Sequence, residues 1–304
     1  MESSKPYRIR TISEFHALRG LPKPEHPLIS VVDIENITKV GDDAKHFMMD
    51  FYSISIKRVV GASYKYGQQD YDFNDGVIFF MAPLQVMGFS VPENILEVSG
   101  WILLIHPDFL WNTALASLSG KYDFFDYSVN EALFLSAKEE ATLDNIIANI
   151  RQEYHSNIDK FSKQIIVSQI ESLLNYCERF YHRQFLTREK ANDQILDRLD
   201  KILTESFNSD YLVHKGLPTV QSVCDTLNIS VSYLSRVLKL LTGKSTQQLI
   251  HEKLIAKAKE KLSTTDLAVS EIAYELGFEH PQSFSKLVKT KTNVSPLEFR
   301  RSFS

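Results

Sequence analysis

Near the C-terminal end, two sets of polar side chains recur about fifty residues apart: Ser232, Ser235, Arg236 and Lys239, then His280, Gln282, Lys286 and Lys289. An Arg guanidinium can donate two parallel hydrogen bonds to guanine in the major groove. A Gln amide can exchange a pair with adenine, and Ser or His can donate or accept. Lys is a compact point charge suited to phosphate oxygens, which fix position without reporting base identity. Arg236, Gln282 and Lys286 rank first as base readers, and Lys239, Lys244, Lys289 and Lys291 suit phosphates. For any one of these residues taken alone, a solvated helix face is the alternative reading. The partner that the sets fit together is double-stranded DNA.

The elements that must hold these sets show as an internal repeat. Val220, Val223, Leu227 and Ile229 match Val269, Ile272, Leu276 and Phe278 at an offset of 49. Leu234, Ser235, Val237, Thr242 and Ser245 match Phe284, Ser285, Leu287, Thr292 and Ser295 at 50, so the second copy has gained one residue in its turn. Each copy reads as a helix-turn-helix, over 219–242 and 268–291. In the first, the leading apolar positions pack on Leu234, Val237, Leu238 and Leu241, Ser230 caps the second helix, and Ser232, Tyr233, Ser235, Arg236 and Lys239 stay outward. In the second, Val269, Ile272, Ala273, Leu276 and Phe278 face Phe284, Leu287 and Val288, leaving His280, Gln282, Ser283, Lys286 and Lys289 outside. Between them, 246–262 reads as a linker helix with Leu249, Ile250, Leu254, Ala258 and Leu262 on one face and Lys253, Lys257, Lys259 and Lys261 on the other. At 1.5 Å per residue it spans roughly 25 Å, which suits two reading helices about one DNA turn, roughly 34 Å, apart.

At 304 residues, 43% hydrophobic and 24% charged, the composition is that of a globular chain of two or three domains. A net charge of −4 taken alone argues against nucleic acid, but the charge is unevenly spread. From Lys190 onward 16 Lys and Arg stand against 13 Asp and Glu, and the remainder holds 18 against 25. A modestly basic DNA-binding end on an acidic partner domain fits that asymmetry. Cys177 and Cys224 sit in apolar helical patterns and are expected to be buried and reduced. The first twenty residues carry no apolar leader, and no run reaches the roughly 18 apolar residues of a membrane span, so the expectation is a cytoplasmic chain without membrane attachment.

Residues 1–27 are polar and close on Pro22, Pro24 and Pro27, as an arm or a first short element. From Leu28 to about His106 follow runs of strand length, LISVVDI, MMDFYSISI, GVIFFMA, LQVMGFSV and GWILLIH. Turn signals at Asn74-Asp75-Gly76 and Val91-Pro92-Glu93-Asn94 separate them, which suggests a small barrel or sandwich. From Ser136 the period lengthens. Ser136 and Glu139 form a capping box ahead of Leu143, Ile146, Ile147, Ile150 and Tyr154. A second helix from about Asp159 spaces Ile166, Ile170, Leu173, Cys177 and Phe180 at 4, 3, 4, 3, a seam that either pairs two subunits or packs on its own barrel. The linker TREKAND leads into a helix from about Gln194 to Asn208.

The C-terminal residues closely resemble the AraC/XylS family of bacterial transcription regulators, most specifically TDLAVSEIAYELGFEHPQSFSKLVKTKTNVSPLEFRR at 265–301. The resemblance covers about 110 residues and combines both repeats, the linker helix and the Gly277-Phe278 turn. It maps base-reading positions to Ser232, Ser235 and Arg236 in the first head and to Pro281, Gln282 and Lys286 in the second. Proline has no backbone donor, so Pro281 shapes the helix start and His280 reaches instead. Asn293 stands where the family usually has Gly, and Asn tolerates the left-handed conformation. Leu254 stands where the linker helix often carries Arg, whose phosphate or packing role is lost or passes to Lys253. DYDFNDGVIFFMAPLQVMGF at 70–89 resembles the barrel segment of the family's cupin-like sensor domains, with Leu84 where Gly often follows Pro. Residues 138–186 resemble its dimerisation region.

The resemblance implies an α+β chain: a cupin-like sensor barrel over 1–135, a helical dimerisation region over 136–187, and an all-α domain of two helix-turn-helix units over 188–304. It also implies a homodimeric regulator of promoter DNA, an activator that recruits RNA polymerase under the control of a small effector.

An enzyme is the main alternative class, since cupin-like barrels can hold a metal. Such sites need clustered His with a carboxylate. Here His16, His26, His46, His106 and His155 are scattered, and no His-x-His occurs. No Ser-His-Asp elbow, Gly-rich phosphate loop or paired Cys motif is present either, so no catalytic residue, metal or cofactor is expected. A DNA-binding regulator without a small ligand is the second alternative, its barrel packed solid by Phe, Met and Tyr. No effector-binding residue is named by the sequence.

Overall fold

The chain divides into two units, Met1–Thr187 and Arg188–Ser304. A computed structural model describes residues 6–39, 47–60, 63–66, 69–72, 76–86, 97–127, 131–156, 161–187, 189–207, 212 and 216–302. No helix among the described residues is long and apolar enough to cross a membrane.

In the first unit, strands β1 (Tyr7–Ile9), β2 (Ile29–Asp33), β3 (Phe47–Met49), β4 (Tyr52–Val60), β5 (Ser63–Tyr66), β6 (Gln69–Asp72), β7 (Val77–Met81), β8 (Glu97–Ile105) and β9 (Leu133–Phe134) make three sheets. The largest is antiparallel in the order β2-β8-β4-β7-β9, with Ser55 opposite both Ile102 and Phe79. β1 pairs β3 in parallel, and β5 pairs β6 as a hairpin. Among the described residues the sheets are open, and they do not close into the cupin-like barrel expected over 1–135. Residues 6–27 form the first short element, packed on the sheet. Ile9, Ile12 on α1 (Ile12–Arg19) and Phe15 bury with Phe47 and Met49 against Val32, Met81 and Leu104, so a strand pair and a helix cover the sheet.

The expected strand LQVMGFSV is not one where it is described. Leu84 takes a left-handed φ of 65° and its N–H donates to Met49 O at 2.7 Å. Asn74, Asp75 and the turn at 91–94 lie outside the described residues, as does the helix start expected near Asp159. After the short helices α2 (Pro107–Leu110) and α3 (Leu118–Lys121), the run KYDFFDY buries Tyr122, Phe124, Phe125 and Tyr127. Phe124 packs 4.3 Å from Phe80 and stacks 5.5 Å from Tyr181 between ring centroids.

Helix α4 (Ala137–His155) starts on the expected Ser136–Glu139 capping box, and Arg183 on α5 (Ser162–Thr187) clamps Glu139 at 2.6 Å. Leu143, Ile146, Ile147, Ile150 and Tyr154 are buried as the period requires. The seam Ile166, Ile170, Leu173, Cys177 and Phe180 is buried within this unit, so it packs inward. Burial pushes the Cys177 thiol well above its ordinary pKa. The large apolar residues that α5 leaves exposed are others, Ile165, Tyr176 and Leu186, with Phe161 just before it.

The second unit opens with α6 (Glu189–Ser206) and continues through α7 (Val220–Leu227), α8 (Val231–Thr242), α9 (Thr246–Thr264), α10 (Val269–Glu275), α11 (Pro281–Thr292) and α12 (Pro296–Arg301). One apolar core runs through all of it: Leu199 and Leu203, Val223 and Leu227, Leu234 and Leu238, Ile250 through Leu262, Ile272 and Leu276, Phe284 and Val288. The repeat holds in the backbone. Asn228 (φ 57°) and Gly277 (φ 80°) end α7 and α10 in the left-handed region, and the next N–H groups, of Ile229 and Phe278, close back on Cys224 O and Ala273 O. Gly243 and Asn293 are likewise left-handed after α8 and α11, their own N–H groups donating to Lys239 O and Lys289 O, and Ser245 and Ser295 then open α9 and α12 with capping boxes.

Two substitutions test these backbone constraints. Leu84→Gly relieves a strained φ at a site where the side chain is 55% exposed, so little burial is lost. It should stabilise the first unit by roughly 0.5–1 kcal/mol, a melting rise of about 1–4 °C; an unchanged or lower value contradicts the strain. At Gly277 an added Cβ would lie 3.2 Å from Leu217 N and 3.3 Å from Gly216 C, at a φ that disfavours any side chain. Gly277→Ala should cost about 1–3 kcal/mol in denaturant unfolding of the second unit, and a neutral result contradicts that close approach.

Candidate nucleic-acid interface

Helix α8 exists because Ser230 Oγ accepts from Tyr233 N at 3.1 Å while Leu234, Val237 and Leu238 bury one face. The opposite face carries Ser232, Ser235, Arg236 and Lys239, of which Lys239 is exposed and the other three half-buried. Tyr233, expected outward, is buried; it lies beside Leu234 and one turn before Val237, and joins their face. Leu241, expected in the core, is exposed in the last turn, where the face has rotated away from the neighbouring helices.

In α11 Pro281 occupies the first helical position after His280, whose side chain makes no capping bond and is exposed. Phe284 and Val288 bury the inner face, and Gln282, Ser283, Lys286 and Lys289 are exposed. Residues 282, 286 and 289 repeat the spacing of 232, 236 and 239, so the two helices present equivalent stripes.

The basic face expected on α9 is largely consumed inside the unit. Lys253 pairs with Asp200 at 2.6 Å and donates to Thr204 Oγ1 at 3.3 Å, Lys257 pairs with Glu260 at 2.8 Å, and Lys261 with Glu275 at 2.6 Å. Lys259 lies over the Phe299 ring at 5.7 Å, and Lys244, a phosphate candidate, pairs with Glu252 at 2.7 Å. By contrast, Lys239, Lys286, Lys289 and Lys291 form no ion pair among the described residues. Glu298 is held below its ordinary pKa chiefly by the Ser295 backbone N–H and the Ser295 hydroxyl, with the charges of Lys289 and Arg301 adding to them. Burial lowers the His251 pKa, and the charge of Lys291 lowers it further.

Sequence spacing missed the braces. Arg198 Nη2 donates to Leu227 O at 3.3 Å, and Arg300 donates to Leu262 O and Leu267 O at 3.3 and 2.6 Å. Those partners lie 29 to 38 residues away, beyond any helical period. Leu254, where an Arg was the family expectation, is buried in the core, and Lys253 reaches α6 instead. No group of three or more His, Cys, Asp or Glu that could hold a metal ion occurs among the described residues.

Against this geometry, residues 223–302 match the family described as Helix-turn-helix domain. A curated relative from Pseudoalteromonas carrageenovora, named Uncharacterized HTH-type transcriptional regulator in cgkA 5'region, is 36% identical over 85 residues, 28% of this chain and 50% of its own length. The Raffinose operon transcriptional regulatory protein RafR of Pediococcus pentosaceus is 34% identical over 84 residues, 28% of this chain and 30% of its own. Among solved structures, the C-terminal domain of the two-component response regulator yesN from Fusobacterium nucleatum is 30% identical and covers 34% of this chain and 93% of that one, with a TM-score of 0.30. The chain thus spans half or less of the length of these curated relatives. Joined to the paired heads and the capped helix between them, the match in sequence shows that the C-terminal unit carries an AraC-type helix-turn-helix domain.

Proposed function

We propose that this chain is a sequence-specific DNA-binding transcription regulator that lays α8 and α11 into two successive major-groove segments of one promoter site. The observation that carries this reading is the pair of equivalent polar stripes on two helices held by one core. Arg236, Gln282 and Lys286 contact base edges, with Ser232, Ser235 and His280 beside them, while Lys239, Lys289 and Lys291 meet phosphates. Because the stripes differ in chemistry, the two segments differ in sequence and each protomer's site is non-palindromic.

In this reading the first unit is a cupin-like sensor for a small effector, the chain works in the cytoplasm as a homodimer, and activation passes to RNA polymerase. The sensor role is supported by a polar stripe on one face of the central strand β4, where Ser53 and Ser55 are buried beside Lys57. The Lys57 ammonium lies 5.7 Å from the Phe79 ring centroid, and burial lowers its pKa to about 8. Dimerisation is supported by Ile165, Tyr176 and Leu186, exposed apolar residues along α5, and by Phe161 just before it.

Mobility-shift titration of the full chain on the DNA upstream of its own gene tests the DNA reading. Arg236→Ala and Lys286→Ala should each weaken specific binding by about 1–3 kcal/mol, whereas Lys289→Ala should weaken all sequences alike and flatten the slope of log K against log salt by about 0.9. Specific binding unchanged in both Arg236→Ala and Lys286→Ala would remove those residues from the reading set. For the dimer, Ile165→Asp combined with Leu186→Asp should convert it to a monomer in sedimentation velocity; a persistent dimer excludes this face of α5.

A further inference from the structure

Side chains alternate across a strand, so Arg58 and Lys57 on β4 face opposite sides of the sheet. On the Arg58 side, between the sheet and α4, lies a cleft of about 510 Å³, within the usual range for small-molecule sites. It is floored by Trp101, with Ile147 and Ala148 of α4 on its wall. Three ion pairs made by two arginines flank the floor. Arg58 Nε donates to Glu140, and its Nη2 donates to Asp144 Oδ2 at 2.7 Å, while Asp144 Oδ1 accepts from the Trp101 indole N–H at 2.8 Å. Arg151 Nη1 and Nη2 donate to the two oxygens of Asp33 at 2.9 and 2.7 Å.

These pairings use two of the five N–H donors on each guanidinium, so both retain donors. The lining also holds Glu35, an exposed carboxylate that accepts a 3.4 Å bond from Gly100 N and forms no ion pair among the described residues. The cleft therefore offers spare cationic donors and a spare anion side by side. A simple anion would meet three carboxylates, those of Asp33, Glu35 and Asp144, and a simple cation would meet two guanidinium groups. A ligand bearing both signs satisfies both, and leaves each existing pair intact.

We infer that this cleft binds a small zwitterion, an α-amino acid, with its carboxylate on the spare donors of Arg58 or Arg151, its ammonium on Glu35, and its side chain against Ile147 and Ala148. The site does not rest on the DNA reading, since its readouts are ligand binding and heat stability of the full chain. A chain that shifts no DNA yet binds an amino acid keeps this inference and loses the other.

The twenty amino acids, each at about 10 mM, are screened by thermal melting of the full chain. At least one should raise the melting temperature by about 2 °C or more, and its amide and N-acetyl derivatives, which each lack one charge, should not. Glu35→Gln, on an exposed side chain outside the ion pairs, should keep the melting temperature of the unliganded chain and weaken calorimetric binding of that amino acid at least tenfold. The inference is overturned if no amino acid shifts melting, if the singly charged derivatives act as well as the parent, or if Glu35→Gln binds like the unaltered chain.

Discussion

The second unit depends on burying one stripe of α9. Ile250, Leu254, Ala258 and Leu262 are all at most 2% exposed, and α9 packs against α6 and against helices of both heads. Each large apolar side chain so buried contributes about 1.5–3 kcal/mol, and Ala258 lets neighbouring backbone come close. The consequence is geometric as well as energetic. In the proposed reading two heads tied to one helix meet DNA together, so docking the first raises the effective concentration of the second.

Charge is arranged to the same end. The chain is acidic overall, which disfavours a polyanion, yet four acids of the second unit are engaged internally. Asp200, Glu252, Glu260 and Glu275 neutralise Lys253, Lys244, Lys257 and Lys261. Lys239, Lys286, Lys289 and Lys291, which form no ion pair among the described residues, lie on α8 and α11 and add positive charge where the polar stripes are. The ion pairs on α9 are exposed and contribute little stability one by one. Their effect is to concentrate the free positive charge on the two candidate reading helices.

The second unit was legible in the sequence because its signals are local. The capping residue Ser230, left-handed turn residues Gly277 and Asn293, and apolar positions at helical spacing all act within a few residues of the feature they specify. Tyr233 and Leu241 were misplaced because an ideal period does not report how a helix end rotates against its neighbours. Long-range partners such as Asp200 for Lys253, or Leu267 for Arg300, leave no trace in spacing. The first unit was less legible for the same reason. Its open sheet, its β1-β3 pair and its aromatic layer of Phe80, Phe124 and Tyr181 join residues far apart in the chain, and the seam on α5 could not report whether it faced inward or outward.

In vitro selection of DNA sites from a random pool by the full chain, with sequencing of the bound fraction, tests the central claim most directly. The account predicts that each protomer selects two segments about one helical turn apart that differ in sequence, one for the Ser-Ser-Arg stripe of α8 and one for the His-Gln-Lys stripe of α11. A single selected segment, or two segments related as a palindrome within one protomer's site, would contradict it.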